Sequence, residues 1–174
     1  ISSRSFGSMV TELAVLKDAL STFVANACAK LRAQNSHAAV IQVFLQTNRF
    51  RKDLPQYMPS LAVPLSYPTD DSLEVNRWAS ALCERMFKPG YQYKKAGIML
   101  GEITPASLHQ SDWLEPTQTT DTRLMDALDG LNSKFGRGTV KVSTQGAFKQ
   151  CQMKQERKSP SYTTDWNELG VVRT

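Results

Sequence analysis

Ala38-Ala39-Val40-Ile41-Gln42-Val43-Phe44-Leu45-Gln46-Thr47 is the stretch on which the fold turns. Ile41, Val43 and Leu45 share one parity, and Gln42, Phe44 and Gln46 share the other. Successive strand side chains point to opposite faces, so this is a strand that packs one face on a core and offers the other to solvent or a partner. Gln34-Asn35-Ser36 separates it from a preceding helix, in which Leu13, Leu16, Leu20, Phe23, Ala27 and Leu31 recur at spacings of three and four. That is the stripe of an amphipathic helix, with Lys17, Asp18, Lys30 and Arg32 on its polar side. Residues 2–10 read as a short strand interrupted by Gly7.

Past the deciding strand, Arg49, Arg51 and Lys52 lie in a loop. Residues 57–65 predict an irregular strand whose Pro59 and Pro64 put it at a sheet edge or give it a bulge. Asp71-Ser72-Leu73-Glu74 fits a helix start, with a capping carboxylate and a Glu three residues on. Val75, Trp78, Leu82 and Met86 then keep helical spacing until Pro89-Gly90. Residues 95–102 predict a last strand. The order strand-helix-strand-strand-helix-strand predicts an α+β fold over residues 1–103: a duplicated β-α-β whose four-stranded antiparallel sheet carries both helices on one face. The other face stays open.

Residues 104–119 read as a linker, rich in Thr, Ser and Pro, with Leu108, Trp113 and Leu114 inside it. Residues 120–174 read as a small helical and irregular extension. Its helix carries Leu124, Leu128, Leu131 and Phe135, Gly136-Arg137-Gly138 stops it, and Thr139–Val142 predicts a short strand. The polar, basic remainder folds back or stays mobile.

The chain has 174 residues, 41% hydrophobic and 21% charged, as a globular protein has. Its opening on Ile1 reads as a fragment boundary. No run approaches the roughly eighteen apolar residues of a membrane helix. The net charge of +5 is uneven: seven basic against three acidic groups in residues 1–54, five against five in 55–103, two against five in 104–136, and seven against three in 137–174. Two basic ends around an acidic stretch imply surfaces with different partners. Cys28, Cys83 and Cys151 have no metal-ligand rhythm, and Cys28 and Cys83, in predicted helices, read as buried free thiols of a reducing cytosol. There is no phosphate-cradling glycine loop and no metal motif. Asp70 and Asp71 read as cap and turn, Asp126 and Asp129 as a solvated face. Catalysis by this chain alone, with a cofactor or metal of its own, is not expected.

Arg4-Ser5-Phe6-Gly7, the strand Lys95-Ala96-Gly97-Ile98-Met99-Leu100-Gly101, Gly136-Arg137-Gly138-Thr139, and the ending from Met153-Lys154 through Ser159-Pro160-Ser161-Tyr162-Thr163-Thr164 resemble the UmuC-type catalytic subunits of DNA polymerase V, translesion polymerases of the Y family. The resemblance runs the length of the chain. It implies the C-terminal part of such a subunit: a little finger domain over 1–103 that lays its sheet on primer-template DNA, then the UmuC-type extension. The palm that holds catalytic Mg2+ would lie outside this chain. It further implies a bacterial cytoplasmic protein acting in SOS mutagenesis and DNA repair.

Phosphate contacts suit a polymerase that ignores sequence. The DNA candidates are Arg4, Ser5, Gln42, Gln46, Thr47, Arg49, Arg51, Lys94 and Lys95, with Phe6 and Phe44 able to stack. Gln110-Ser111-Asp112-Trp113-Leu114 resembles the pentapeptide by which bacterial polymerases dock on the sliding clamp, with Trp113 and Leu114 as adjacent apolar anchors. For the extension, the resemblance implies the processed UmuD dimer and the RecA filament as partners, with Lys154, Arg157, Lys158 and Trp166 as contact candidates. Two other readings use the same residues: a free-standing nucleic-acid-binding module, and a protein-docking module whose basic charge is incidental.

Overall fold

The computed structural model describes residues 1–108, 122–136, 138–145, 159–161 and 163. Six elements build the sheet domain: β1 (Ser2–Val10), α1 (Leu13–Ala33), β2 (Ser36–Thr47), β3 (Ser60–Thr69), α2 (Ser72–Met86) and β4 (Tyr93–Pro105). A short 3-10 turn comes next at Ala106–Leu108. Beyond it lie α3 (Thr122–Phe135) and a second 3-10 turn at Ser143–Gln145.

The strands lie in the order β1-β4-β2-β3, every neighbouring pair antiparallel. β1 and β2 therefore run the same way with β4 between them, and β3 and β4 run the same way with β2 between them. Each β-α-β half is split by a strand of the other, which is the predicted duplicated α+β architecture.

Burial on one face drives the assembly. Leu16, Leu20, Phe23, Val24 and Leu31 of α1, with Val75, Ala79, Leu82 and Met86 of α2, close over Ile41, Val43, Leu45, Ala96 and Ile98 of the sheet. Each large aliphatic fully removed from water stabilises the fold by about 1.5–3 kcal/mol. Local signals agree with this packing. Asn35 ends α1 in the left-handed region (φ 49), which Asn tolerates better than most residues. Asp71 caps α2, its side chain accepting from the Leu73 amide at 2.8 Å. Glu74 does not complete the reciprocal half of that cap; it accepts from Arg77 and from the Trp78 indole.

Several predicted boundaries and roles change. β3 runs from Ser60 to Thr69 rather than over 57–65; it is an edge strand, and its pairing with β2 also shifts register between Ala38 and Val40. β4 continues to Pro105, into the stretch read as linker, because β2 pairs with it as far as Ser36 opposite Pro105. Arg32 is not a solvated residue of α1. Its guanidinium holds both carboxylate oxygens of Asp129 (2.6 and 2.9 Å), the carbonyl of Asp70 (2.8 Å) and Ser72 Oγ (3.1 Å). Burial works against its charge, but the Asp129 bonds outweigh that and raise its pKa. Asp129, read as solvated, is thus the carboxylate that ties α3 to α1.

That tie turns α3. Met125, one residue beyond Leu124 and so about 100° around the helix, is the buried apolar side chain. Leu124, Leu131 and Phe135 of the predicted stripe are exposed among the described residues. No strand forms at 139–142. Asn132 takes its place: Oδ1 accepts from the Val140 amide and Nδ2 donates to the Val140 carbonyl, both at 3.0 Å, so a side chain satisfies the backbone that a ladder would have paired.

Candidate nucleic-acid interface

The face of the sheet away from the helices is built in cross-strand rows. Ser5 stands opposite Lys95, and Lys95 opposite Gln46. The next row is Ser3, Gly97, Phe44 and Ser60, and the next contains Met99, Gln42 and Ala62. Paired residues project to the same side, so hydroxyls, amides, one lysine and a glycine share this surface with Phe44, Met99 and Ala62. No carboxylate stands in these rows. Gln42 Nε2 donates to Ser60 Oγ at 2.7 Å, and Lys95 Nζ lies 5.8 Å from the centre of the Phe44 ring.

Gly97 is what keeps the middle of this face low. A Cβ there would fall 2.3 Å from Ser3 Cβ and 2.5 Å from Phe44 Cζ, so the Phe44 ring lies across the glycine. Phe44 covers the sheet, and the face around it is shallow enough for a flat partner to approach.

Of the predicted residues, Ser5, Gln42, Gln46 and Lys95 share the open face. Arg49 is exposed in the β2–β3 loop just beyond it. The others sit elsewhere. Thr47 has the parity of Leu45 and is buried; its hydroxyl donates to Gln56 Oε1 (3.0 Å) and accepts from the Tyr57 amide (3.1 Å), so it organises the loop from beneath. Arg4 pairs with Ala96, a core position, and so belongs to the helix-side face, reaching solvent at the edge strand. Phe6 has the same parity and is a core residue. Lys94 Nζ donates to the Phe6 carbonyl at 2.5 Å, opposite the stretch of β1 where the register shifts between Ser5 and Val10. Arg51 makes a two-bond pair with Asp53 (2.8 and 2.6 Å), and that bonding holds the Asp53 carboxyl down to about 2.

Sequence reasoning missed Ser3 and Ser60, although Ser3 has the parity of Ser5. It also missed Phe50, which interleaves with Arg49, Arg51 and Lys52 and is 87% exposed. Lys88, 4.6 Å over the Tyr57 ring, adds a cation near the same end of the sheet. Gln110, Ser111, Asp112, Trp113 and Leu114, and likewise Lys154, Arg157, Lys158 and Trp166, lie outside the described residues. Among the described residues no group of three His, Cys, Asp or Glu gathers to hold a metal ion, and no helix is long and apolar enough to cross a membrane.

Residues 1–113 match the model of the impB/mucB/samB family C-terminal domain. The chain belongs to the impB/mucB/samB family. Residues 122–172 match a second model, a domain of unknown function (DUF4113). Among relatives within the family, the chain is 34% identical to UmuC of Salmonella typhimurium over 99% of this chain and 42% of that one. It is 31% identical to ImpB of the same organism (99% and 41%) and 33% identical to MucB of Escherichia coli (98% and 40%). The chain thus spans about two fifths of the length of these family members, and it is a UmuC-type C-terminal part. The family domain covers the whole four-stranded sheet and reaches past β4, while the second domain begins with α3 and extends toward the C-terminus.

Proposed function

We propose that this chain is the non-catalytic DNA-gripping and protein-docking part of an error-prone translesion polymerase of the impB/mucB/samB family, working in SOS mutagenesis and DNA repair. The carrying observation is the open sheet face: hydroxyls, amides and a glycine in register, free of carboxylates, with Lys95 and Arg49 toward one end. A shallow face of hydroxyls and amides set around Phe44 and Met99 approaches a sugar-phosphate backbone without reading bases, and cations at its rim release counterions from the phosphates. Ser5, Gln42, Gln46, Arg49 and Lys95 make these contacts. Lys94 and Thr47 act behind them by holding the strands and the loop, Arg4 acts from the sheet edge, and Arg51 offers a guanidinium already shared with Asp53. Gln110–Leu114 docks on a sliding clamp. The extension meets the processed UmuD dimer and the RecA filament, using Lys154, Arg157, Lys158 and Trp166. Catalytic Mg2+ belongs to the polymerase's palm.

The test is binding of the 174-residue chain to a fluorescent primer-template duplex at several salt concentrations. Affinity should fall steeply with salt and ignore sequence. Arg49→Ala and Lys95→Ala should each weaken binding and reduce the salt slope by about one. Absence of binding at low salt would leave a docking platform and remove DNA gripping.

A further inference from the structure

We infer that the tip of the β2–β3 hairpin is a contact for single-stranded DNA, with Phe50 as the platform on which an unstacked base lies. This rests on the DNA-gripping reading and assigns to it a separate subsite.

Phe50 is the most exposed large hydrophobic side chain among the described residues. Nothing in the fold requires an apolar ring there, because a polar residue would serve a solvated turn. The turn itself is built. The Phe50 amide donates to Asn48 Oδ1 at 3.1 Å, the Arg51 amide to the Asn48 carbonyl at 3.0 Å, and the Leu54 amide to the Arg51 carbonyl at 3.2 Å. One side chain gathers the rest: Gln56 Nε2 shares its protons among the carbonyls of Asn48 (3.2 Å), Arg51 (2.9 Å) and Leu54 (3.1 Å), while its Oε1 accepts from buried Thr47. The ring is therefore presented on a preformed backbone, which lowers the ordering cost of binding.

The neighbours of the ring select its partner. Arg49 and Lys52 flank it, exposed, and the carboxylate of Asp53 is occupied by Arg51. An aromatic platform between cations suits a π-face carried on a polyanion. Within a duplex those π-faces are covered by stacking, whereas a single strand offers them freely. The tip begins two residues beyond Gln46, so a strand leaving the open face past Gln46 and Lys95 runs onto it.

The experiment compares the 174-residue chain with Phe50→Ala and Phe50→Trp variants, each titrated against a labelled oligothymidylate and against a duplex of equal phosphate count. Phe50→Ala should weaken oligothymidylate binding about tenfold with an unchanged salt slope, Phe50→Trp should keep or tighten it, and duplex binding should change less than about twofold. If the unsubstituted chain binds both DNAs and Phe50→Ala binds the oligothymidylate equally well, the inference is overturned and the phosphate-gripping face stands. Equal loss on both DNAs overturns it too, by making Phe50 a support of the face. If the unsubstituted chain binds neither DNA, the gripping function itself falls and takes this subsite with it.

Discussion

The sheet domain and α3 are held in place by different means. The first closes two helices over a sheet through a continuous set of buried aliphatic and aromatic side chains. The second rests on α1 with Met125 as its buried apolar residue and the Arg32–Asp129 pair, and the 3-10 turn beyond it adds a hydroxyl contact between Ser21 and Thr144 at 2.9 Å. Apolar burial is non-directional and cumulative, so no single contact decides the domain. A few oriented polar contacts fix a position sharply and are lost sharply. The helix that opens the second family domain is thus placed by specific groups and should be able to leave without unfolding the helix it rests on.

The comparison breaks most heavily from the core side. Leu45→Ala should cost about 2–5 kcal/mol in a denaturant titration and release α3 in the same transition, since α1 would no longer be a platform. Gly97→Val should cost about 1–3 kcal/mol, because Ser3 and Phe44 must both move. It should also roughen the open face, so salt-dependent DNA affinity should drop along with stability. Asp129→Ala tests the other side. Amide protection in α3 should collapse in hydrogen exchange, while the sheet domain loses only about 1–3 kcal/mol of stability from the charge left on Arg32. Coincident loss in both regions would show that the two are one cooperative unit.

The last test is a pH dependence confined to the core, modest per pH unit. Burial pushes the thiols of Cys28 and Cys83 up to about 12, from a usual value of 9. The folded state keeps these protons where the unfolded state releases them. Stability from this source is complete below about pH 9 and is lost as pH rises toward 12, by at most about 1.4 kcal/mol per unit for each thiol. Burial also raises Tyr93, which acts in the same direction. Thermal unfolding between pH 8.5 and 10.5 should show Tm falling, and Cys28→Ala should lessen that slope.

The sheet was legible because parity and helical spacing are local. The alternation across Ile41–Gln46 assigned both faces of β2 correctly, and the same alternation already placed Thr47 with Leu45. Arg4 was harder: its face depends on pairing with Ala96 across an irregular β1, and register between strands about ninety residues apart leaves no local mark. α3 failed for a related reason. Its leucines advertise a face, yet Asp129 meets Arg32 across 97 residues and turns a neighbouring face inward. Asn132 likewise replaced a predicted strand with a side-chain clasp that no pattern of hydrophobicity encodes. The site was half readable. Glutamines, serine and Lys95 can be placed by parity, while the captured roles of Lys94 and Arg51 depend on where carbonyls and carboxylates end up.

The place of β4 has a consequence for how this polypeptide is made. β4 is the last strand of the sheet to leave the ribosome, yet it sits between β1 and β2, and among the described residues it is the only strand with which β1 pairs. Until residues 93–105 emerge, the β2–β3 hairpin can zip locally, but the first nine-residue strand has no neighbour and must wait through the synthesis of everything between. Contacts of such long sequence separation form slowly, and an unpaired edge exposed meanwhile invites pairing with the wrong chain. Nascent chains stalled before residue 93 should therefore show a protease-sensitive β1, which becomes resistant only when the stall is moved beyond residue 105 by the length of the exit tunnel.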